Sequence, residues 1–177
     1  VFGRRAGRSA AEYAHAHPHA NGASDGALSA AEGHIRNLLD RSDDGERTAE
    51  IRTDLGTMLN SLTGVFRTGE QLTQSVEAVR DLKERYKRVA VRHRGAVFNT
   101  ALINTLELGF MLDLAETMAA GGLAREESRG SHARRDFPQR DDEKWLKHTQ
   151  AFWTPEGPHL QYAPVTMTQW EPEERRY

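Results

Sequence analysis

Apolar residues recur at helical spacing along most of the chain and at alternating spacing only near its end. From Val1 to about residue 17 the small residues Gly3, Ala6, Gly7, Ala10, Ala11 and Ala14 predict a helix suited to close packing against another element. Pro18 and the cluster Asn21-Gly22-Ala23-Ser24-Asp25-Gly26 end it. Ser29-Ala30-Ala31-Glu32 has capping-box spacing ahead of Ile35, Leu38 and Leu39, so a short helix is expected there, broken at Asp43-Asp44-Gly45. From Glu46 onward Ile51, Leu55, Met58/Leu59 and Leu62 share one stripe, closed by Val65-Phe66. Thr68-Gly69-Glu70-Gln71 is a second capping box, followed by Leu72, Val76, Val79, Leu82 and Tyr86 on one face. Phe98 to Ala120 is apolar around most of its circumference and predicts a third long helix, stopped by Gly121-Gly122. A helix of that composition is expected in the middle of the fold, with Leu106 and Phe110 buried.

After Gly130 the pattern changes to loops with one helical turn around Asp141 to His148. Leu160, Tyr162, Val165, Met167 and Trp170 then predict strand from about Gly157. The expected fold is therefore mainly α: an antiparallel three-helix bundle with an N-terminal packing helix and a C-terminal loop and strand tail. The boundaries fall at 1–20 for the first helix, 21–45 for a linker with a short helix, 46–127 for the bundle and 128–177 for the tail.

Composition narrows the classes. Hydrophobic residues are 37% of the 177, charged residues 28%, and mean hydropathy is -0.72. That is low for a free-standing core at both ends, so part of the apolar surface is expected to meet something outside this sequence. The chain opens inside a helical pattern, without an initiator Met, a signal peptide or a basic n-region, and reads as a fragment of a longer one. With no cysteine it forms no disulfide framework, thiolate zinc site or iron–sulfur ligation of its own. Polar residues interrupt the longest apolar stretch, so no bilayer span is expected. A net charge of -2 and a pI near 6.5 argue against a nucleic-acid protein.

Candidate chemistry sits in a few places. His15, His17 and His19 flank Pro18, but alternate residues of a helix face apart, so a solvated helix end is the simpler reading and no metal is expected. Arg80, Lys83, Arg85, Lys87, Arg88, Arg92 and Arg94 are offset locally only by Asp81 and Glu84. They read as a solvated helix face or a subunit contact. The densest region is Glu127-Ser128-Arg129-Gly130-Ser131-His132-Ala133-Arg134-Arg135-Asp136-Phe137-Pro138, continued by Arg140-Asp141-Asp142, Trp145 and Lys147-His148-Thr149. Ion pairs and hydrogen bonds, not a local core, must position these side chains. Arg129 and His132 are its best site candidates. From the residues alone, a carboxylate-paired Arg129 that fixes the turn at Gly130 is the stronger reading. Arg134, Asp136, Arg140, Asp141 and Asp142 are expected to form an ion-pair network, and Trp145 to be a buried anchor.

This run resembles the C-terminal part of the flavoprotein subunit of succinate dehydrogenase and fumarate reductase, which carries Glu-Ser-Arg-Gly-x-His-x-Arg-x-Asp-Phe/Tyr-Pro leading into Arg-Asp-Asp-x-x-Trp-x-x-His. Val1-Phe2-Gly3-Arg4-Arg5-Ala6-Gly7 resembles the last helix of that family's flavin domain, and Pro164-Val165-Thr166-Met167-Thr168 through Glu174-Arg175-Arg176-Tyr177 its closing strand and terminal Arg-x-Tyr. The resemblance implies oxidation of succinate to fumarate, or the reverse, through covalently bound FAD. It implies electron transfer to an iron–sulfur partner subunit, with membrane-anchor subunits beyond it and quinone as acceptor. A peripheral location follows, on the cytoplasmic face of a bacterial inner membrane or the matrix side of an organelle. It also implies that Arg129 lies near the isoalloxazine and its histidyl link, and His132 close to it, as cofactor-binding residues. The family's Gly-x-Gly-x-x-Gly, flavin-linked His and substrate-binding residues would precede Val1, so no catalytic residue is expected in this chain. A soluble L-aspartate oxidase, without an iron–sulfur partner, and a non-catalytic helical interaction module are the rival readings.

Overall fold

A computed structural model describes residues 1–18, 24–170 and 172–173. It divides into two units, Val1–Asn37 and Leu38–Tyr177. His19, Asn21-Gly22-Ala23 of the linker and the terminal Arg-x-Tyr lie outside the described residues.

The first unit holds α1 (Phe2–Ala16) and most of α2 (Asp25–Leu39). No residue of α1 is buried, and Phe2 is 81% exposed. At its end His17 Nδ1 lies 2.9 Å from the Tyr13 carbonyl, with the two rings stacked. α2 starts a turn earlier than the Ser29 capping box predicts. The Ala27 amide donates to Ser24 Oγ at 3.2 Å, so Ser24 is the residue that satisfies the helix start. Ser29 to Glu32 lies inside the helix, where Glu32 instead pairs with Arg36.

The second unit is built on α3 (Thr48–Leu62), α4 (Gly69–Tyr86) and α5 (Thr100–Ala124). Ile51, Leu55 and Met58 of α3, Val79 and Leu82 of α4, and Leu108, Leu112 and Ala115 of α5 form its core together with Val89. Polar contacts fix the helix directions. Thr63 and Ser75 share a 2.7 Å hydrogen bond where α3 passes into α4, and Arg85 at the far end of α4 reaches Asp54 near the start of α3. Tyr86 donates to the Thr105 carbonyl at 3.0 Å, while Leu72, at the opposite end of α4, packs against Gly122. Thus α4 runs antiparallel to both neighbours. The Thr68 capping box forms as expected, with Thr68 Oγ1 accepting from the Gln71 amide and Gln71 Oε1 accepting from the Thr68 amide.

Two expectations for α5 need correction. Its first residue is Thr100, not Phe98: Phe98 has φ 51° and is 91% exposed, and Asn99 caps the helix by accepting from the Leu102 amide. The helix also continues through Gly121-Gly122 to Ala124, since Gly122 meets Leu72 and Arg67 so closely that packing outweighs the weak helix propensity of glycine. Leu106 is only half-buried and Phe110 is 66% exposed, because just one side of α5 faces α3 and α4.

The strands of the tail lie earlier than the alternation suggests: Leu160 and Tyr162 are in strand, but Val165, Met167 and Trp170 are not, because the last pairing ends at Pro164. β1 (Phe66–Arg67) and β2 (Ala133–Arg134) form a short parallel pair that ties the tail to the α3–α4 connection. α6 (Asp142–Trp145) is one turn, capped by Asp141. β3 (Lys147–Phe152) then pairs antiparallel with β4 (His159–Pro164), from Lys147 opposite Pro164 to Phe152 opposite His159. The expected helical turn therefore gives way to strand at Lys147.

The hairpin connection docks on α5. Gly157 has φ 118°, and a Cβ there would stand 3.1 Å from Glu116 Oε1, a buried carboxylate that also holds Lys83 at 2.8 Å. Gly157→Ala is expected to cost about 1–3 kcal/mol through backbone strain. A thermal melt of the full-length protein checks it, and an unchanged Tm would contradict this docking.

Candidate functional site

α5 ends at Arg125, whose guanidinium gathers the returning chain. It donates to the carbonyls of Trp145 at 2.9 Å and Lys147 at 2.6 Å, to Thr149 Oγ1 at 3.0 Å and to Glu127 Oε1 at 2.5 Å. It also lies over the Trp145 ring, 5.1 Å from the centroid. Two residues on, Glu127 is fully buried and accepts from Arg125, from Arg129 Nε at 2.9 Å and Nη2 at 3.0 Å, and from the Asp141 amide at 3.0 Å. Burial opposes its charge, but these donors outweigh burial and hold its pKa below the ordinary glutamate range.

Gly130 explains how the two candidate residues come together. Its φ of 59° lets the chain reverse, so that Arg129 and His132 exchange backbone hydrogen bonds of 2.9 and 3.0 Å. Arg129 faces Glu127 through its fork and Asp142 through Nη2 at 2.5 Å, and the Glu127 bond leads in raising its pKa. His132 Nε2 lies 3.1 Å from the Arg125 carbonyl, which only accepts, so Nε2 carries the proton. Burial first, then Arg67, Arg134 and Arg125, lower the His132 pKa against that hydrogen bond. The ring is neutral at pH 7, leaving Nδ1 as an acceptor.

The network expected around these residues forms, with divided labour. Arg134 is buried, and its Nη1 donates to the carbonyls of Gly122, Leu123 and Arg125, the orphan acceptors at the end of α5. Its other edge grips Asp136, which accepts from the Gly69 amide at the start of α4. Arg134 foremost holds the Asp136 pKa far below the usual range. Arg140, then Arg129, brings Asp142 down to about 2. Asp141 caps α6 and makes no ion pair in this set. Trp145 is the buried anchor expected, edge-on to Tyr162 at 5.6 Å.

Arg125, Arg129, His132, Trp145 and Lys147 line an open cleft of about 520 Å³ that His148, Thr149, Leu146 and Val165 complete. Among the described residues none that lines it is a carboxylate, and the buried Trp145 Nε1 has no hydrogen-bond partner. Sequence reasoning reached Arg129 and His132 but missed Arg125 and the hub role of Glu127. The one available signal was an arginine directly after the apolar helix, where carbonyls lack partners.

The basic cluster is internally neutralised. Arg85 pairs with Glu46 and Asp54, Lys83 with Asp113 and Glu116, Arg94 with Asp43, and Lys87 with Glu84.

Fold and site place the chain among the helical C-terminal regions of flavoprotein subunits. It belongs to the family described as "Fumarate reductase flavoprotein C-term", which matches residues 52–177. It is 43% identical over its whole length to the fumarate reductase flavoprotein subunit of Mycobacterium tuberculosis, covering 31% of that protein. Among solved structures it resembles the E. coli quinol fumarate reductase (TM-score 0.79, 37% identity, 88% of this chain and 27% of the other). It also resembles the Mycobacterium smegmatis Sdh1 complex (TM-score 0.80, 27% identity, 94% of this chain and 28% of the other). The chain thus spans about a third of the length of the curated relative just named. Among the described residues no helix is long and apolar enough to cross a membrane.

Proposed function

We propose that this chain is the C-terminal part of a flavoprotein subunit that interconverts succinate and fumarate through covalently attached FAD. Electrons pass to an iron–sulfur subunit and on to quinone, and anchor subunits hold the complex peripherally at the membrane. The observation that carries the reading is end-to-end likeness to fumarate reductase flavoprotein subunits, joined to the cleft that Arg125, Arg129 and Lys147 line. In this reading residues 1–20 close the flavin domain, 21–45 link it to the helices of 46–127, and 128–177 return toward the cofactor.

The cleft suits the flavin's electron-rich pyrimidine edge, since Arg125, Arg129 and Lys147 bring positive charge to its lining. A flavin bound there would supply the chemistry of hydride and single-electron transfer. Arg129 is the residue facing the cofactor, its Nε and Nη2 held by Glu127 and Asp142 and its Nη1 left to face outward. His132 offers Nδ1 as an acceptor beside it. Neither residue moves the substrate's proton, and no residue of this chain is assigned that task.

Denaturing gel electrophoresis of the full-length protein tests the reading. Flavin fluorescence is expected to travel with the polypeptide band. Flavin released entirely into the dye front would contradict covalent attachment and favour the aspartate-oxidase type.

A further inference from the structure

A second cleft, of about 490 Å³, opens where the start of α3, the stretch 90–93 and the start of α5 meet. Bonds internal to the fold hold its walls. Glu46 donates its amide to the Arg88 carbonyl at 3.1 Å and accepts from the Ala90 amide at 2.9 Å, which brings Arg47 alongside the stretch that carries Arg92 and His93. Val89 and Val91 are buried and anchor that stretch, and Asn99 Nδ2 donates to the His93 carbonyl at 2.7 Å. A 2.7 Å hydrogen bond between the Thr48 and Thr105 hydroxyls ties α3 to α5. Arg47, Arg52, Arg92 and His93 line the cleft, and none of its described lining residues is a carboxylate. Acids close by in sequence are engaged with other arginines: Glu46 with Arg85 and Arg88, Asp54 with Arg85, and Asp43 with Arg94. Glu50 lies between Arg47 and Arg52 in sequence but does not line the cleft. Among the described residues Arg47 and Arg52 make no ion pair, and Arg92 reaches a carbonyl, that of Asp43 at 3.3 Å, instead of a carboxylate.

Three guanidinium forks on one concave surface, held in place before any ligand arrives, match an anion with several oxygens, and phosphate groups suit such forks best. The remaining lining is different in kind. Ala49, Ala90 and Ala101 are small and apolar, and Asn104 adds one neutral amide. A bare phosphate gains nothing from that surface, whereas a flat ring does, and an amide that both donates and accepts matches the hydrogen-bonding edge of a base. The volume lies within the roughly 300–1,000 Å³ of small-molecule sites. We propose that this cleft binds a nucleoside diphosphate or triphosphate. Its phosphates meet Arg47, Arg52 and Arg92, His93 donates to a phosphate oxygen, and the base lies on the alanines beside Asn104. The cleft shares no lining residue with the one around Arg129.

Photoaffinity labelling of the full-length protein, purified with its flavin bound, tests the site. Saturable labelling by 2-azido-ADP is expected within residues 47–52, 90–93 or 101–104, as mapped by mass spectrometry. Labels confined to other residues, or no saturable label, would overturn the proposal. Calorimetric titration at fixed ionic strength is the second arm. ADP is expected to bind at least tenfold tighter than either pyrophosphate or adenosine. Pyrophosphate as tight as ADP would make the cleft a simple anion site, and adenosine as tight as ADP would leave the arginines without a role. Either result overturns the nucleotide assignment. Arg52→Ala is expected to weaken ADP binding at least tenfold with an unchanged Tm, since Arg52 has no ion pair to lose among the described residues. Arg36→Ala, which removes an exposed arginine of α2, should leave ADP binding as it is. Equal weakening by the two variants would reduce the effect to general charge attraction and end the claim.

Discussion

Glu127→Gln is expected to cost about 3–5 kcal/mol of stability, since it strips the countercharge from a fully buried carboxylate site that two arginines share. The substitution keeps shape and volume, so the loss would come from charge and hydrogen bonding. The glutamine's Oε1 could still accept from Arg125 and Arg129 Nε, but its NH2 would stand donor to donor against Arg129 Nη2 and the Asp141 amide, and both arginines would lose the shared anion. The Tm of the full-length protein should fall by a few degrees. Acidification supplies a second reading of the same effect. The folded-state pKa of Glu127 lies below its unfolded value, so its stabilisation is fully present above about pH 5 and is lost as pH falls through the folded value. The Tm gap between wild type and Glu127→Gln should therefore shrink steadily below about pH 4. A gap that is absent at pH 7, or constant with pH, would show that Glu127 does not carry this charge.

Local chemistry was the legible part of the fold. The Thr68 capping box forms because its donors and acceptors lie three residues apart, and the stripes of α3 and α4 bury Ile51, Leu55, Met58, Leu72, Val79 and Leu82 as their spacing indicated. Leu62, Val76 and Tyr86 are half-buried, and Val65 and Phe66 are exposed. Competition between local signals was harder to read: Ser24 and Ser29 both offer caps, and the earlier one starts α2. Contacts between distant segments were least legible. Gly121-Gly122 carries the signature of a helix stop, yet Leu72 and Arg134 hold the helix past it through packing and carbonyl capping. β3 has little alternation of its own and exists through its pairing with β4. At the site, the sequence exposed the Arg-Gly-x-His turn because Gly130 has to reverse the chain there. Which carboxylate would take Arg129 depended on the burial of Glu127 and on Arg125, which only the tertiary structure sets.

Arg129→Ala is expected to reduce covalent flavin per folded molecule at least tenfold and to lower the flavin's reduction potential, because a positive charge beside the flavin is lost. Arg129→Lys should fall between, keeping charge without the planar fork. Some stability is lost in either case, since Arg129 supplies two of the bonds to Glu127. A comparison variant is needed that weakens the same region without touching the cleft. Asp136→Ala serves, because it removes the partner of buried Arg134 and the acceptor of the Gly69 amide, neither of which lines the cleft. The deciding measurement is covalent flavin per folded molecule in Arg129→Ala and Asp136→Ala, each normalised to its Tm. Near-complete loss in the first with normal attachment in the second is the predicted result. Normal covalent flavin with an unshifted potential in Arg129→Ala would contradict a flavin-facing role for this arginine.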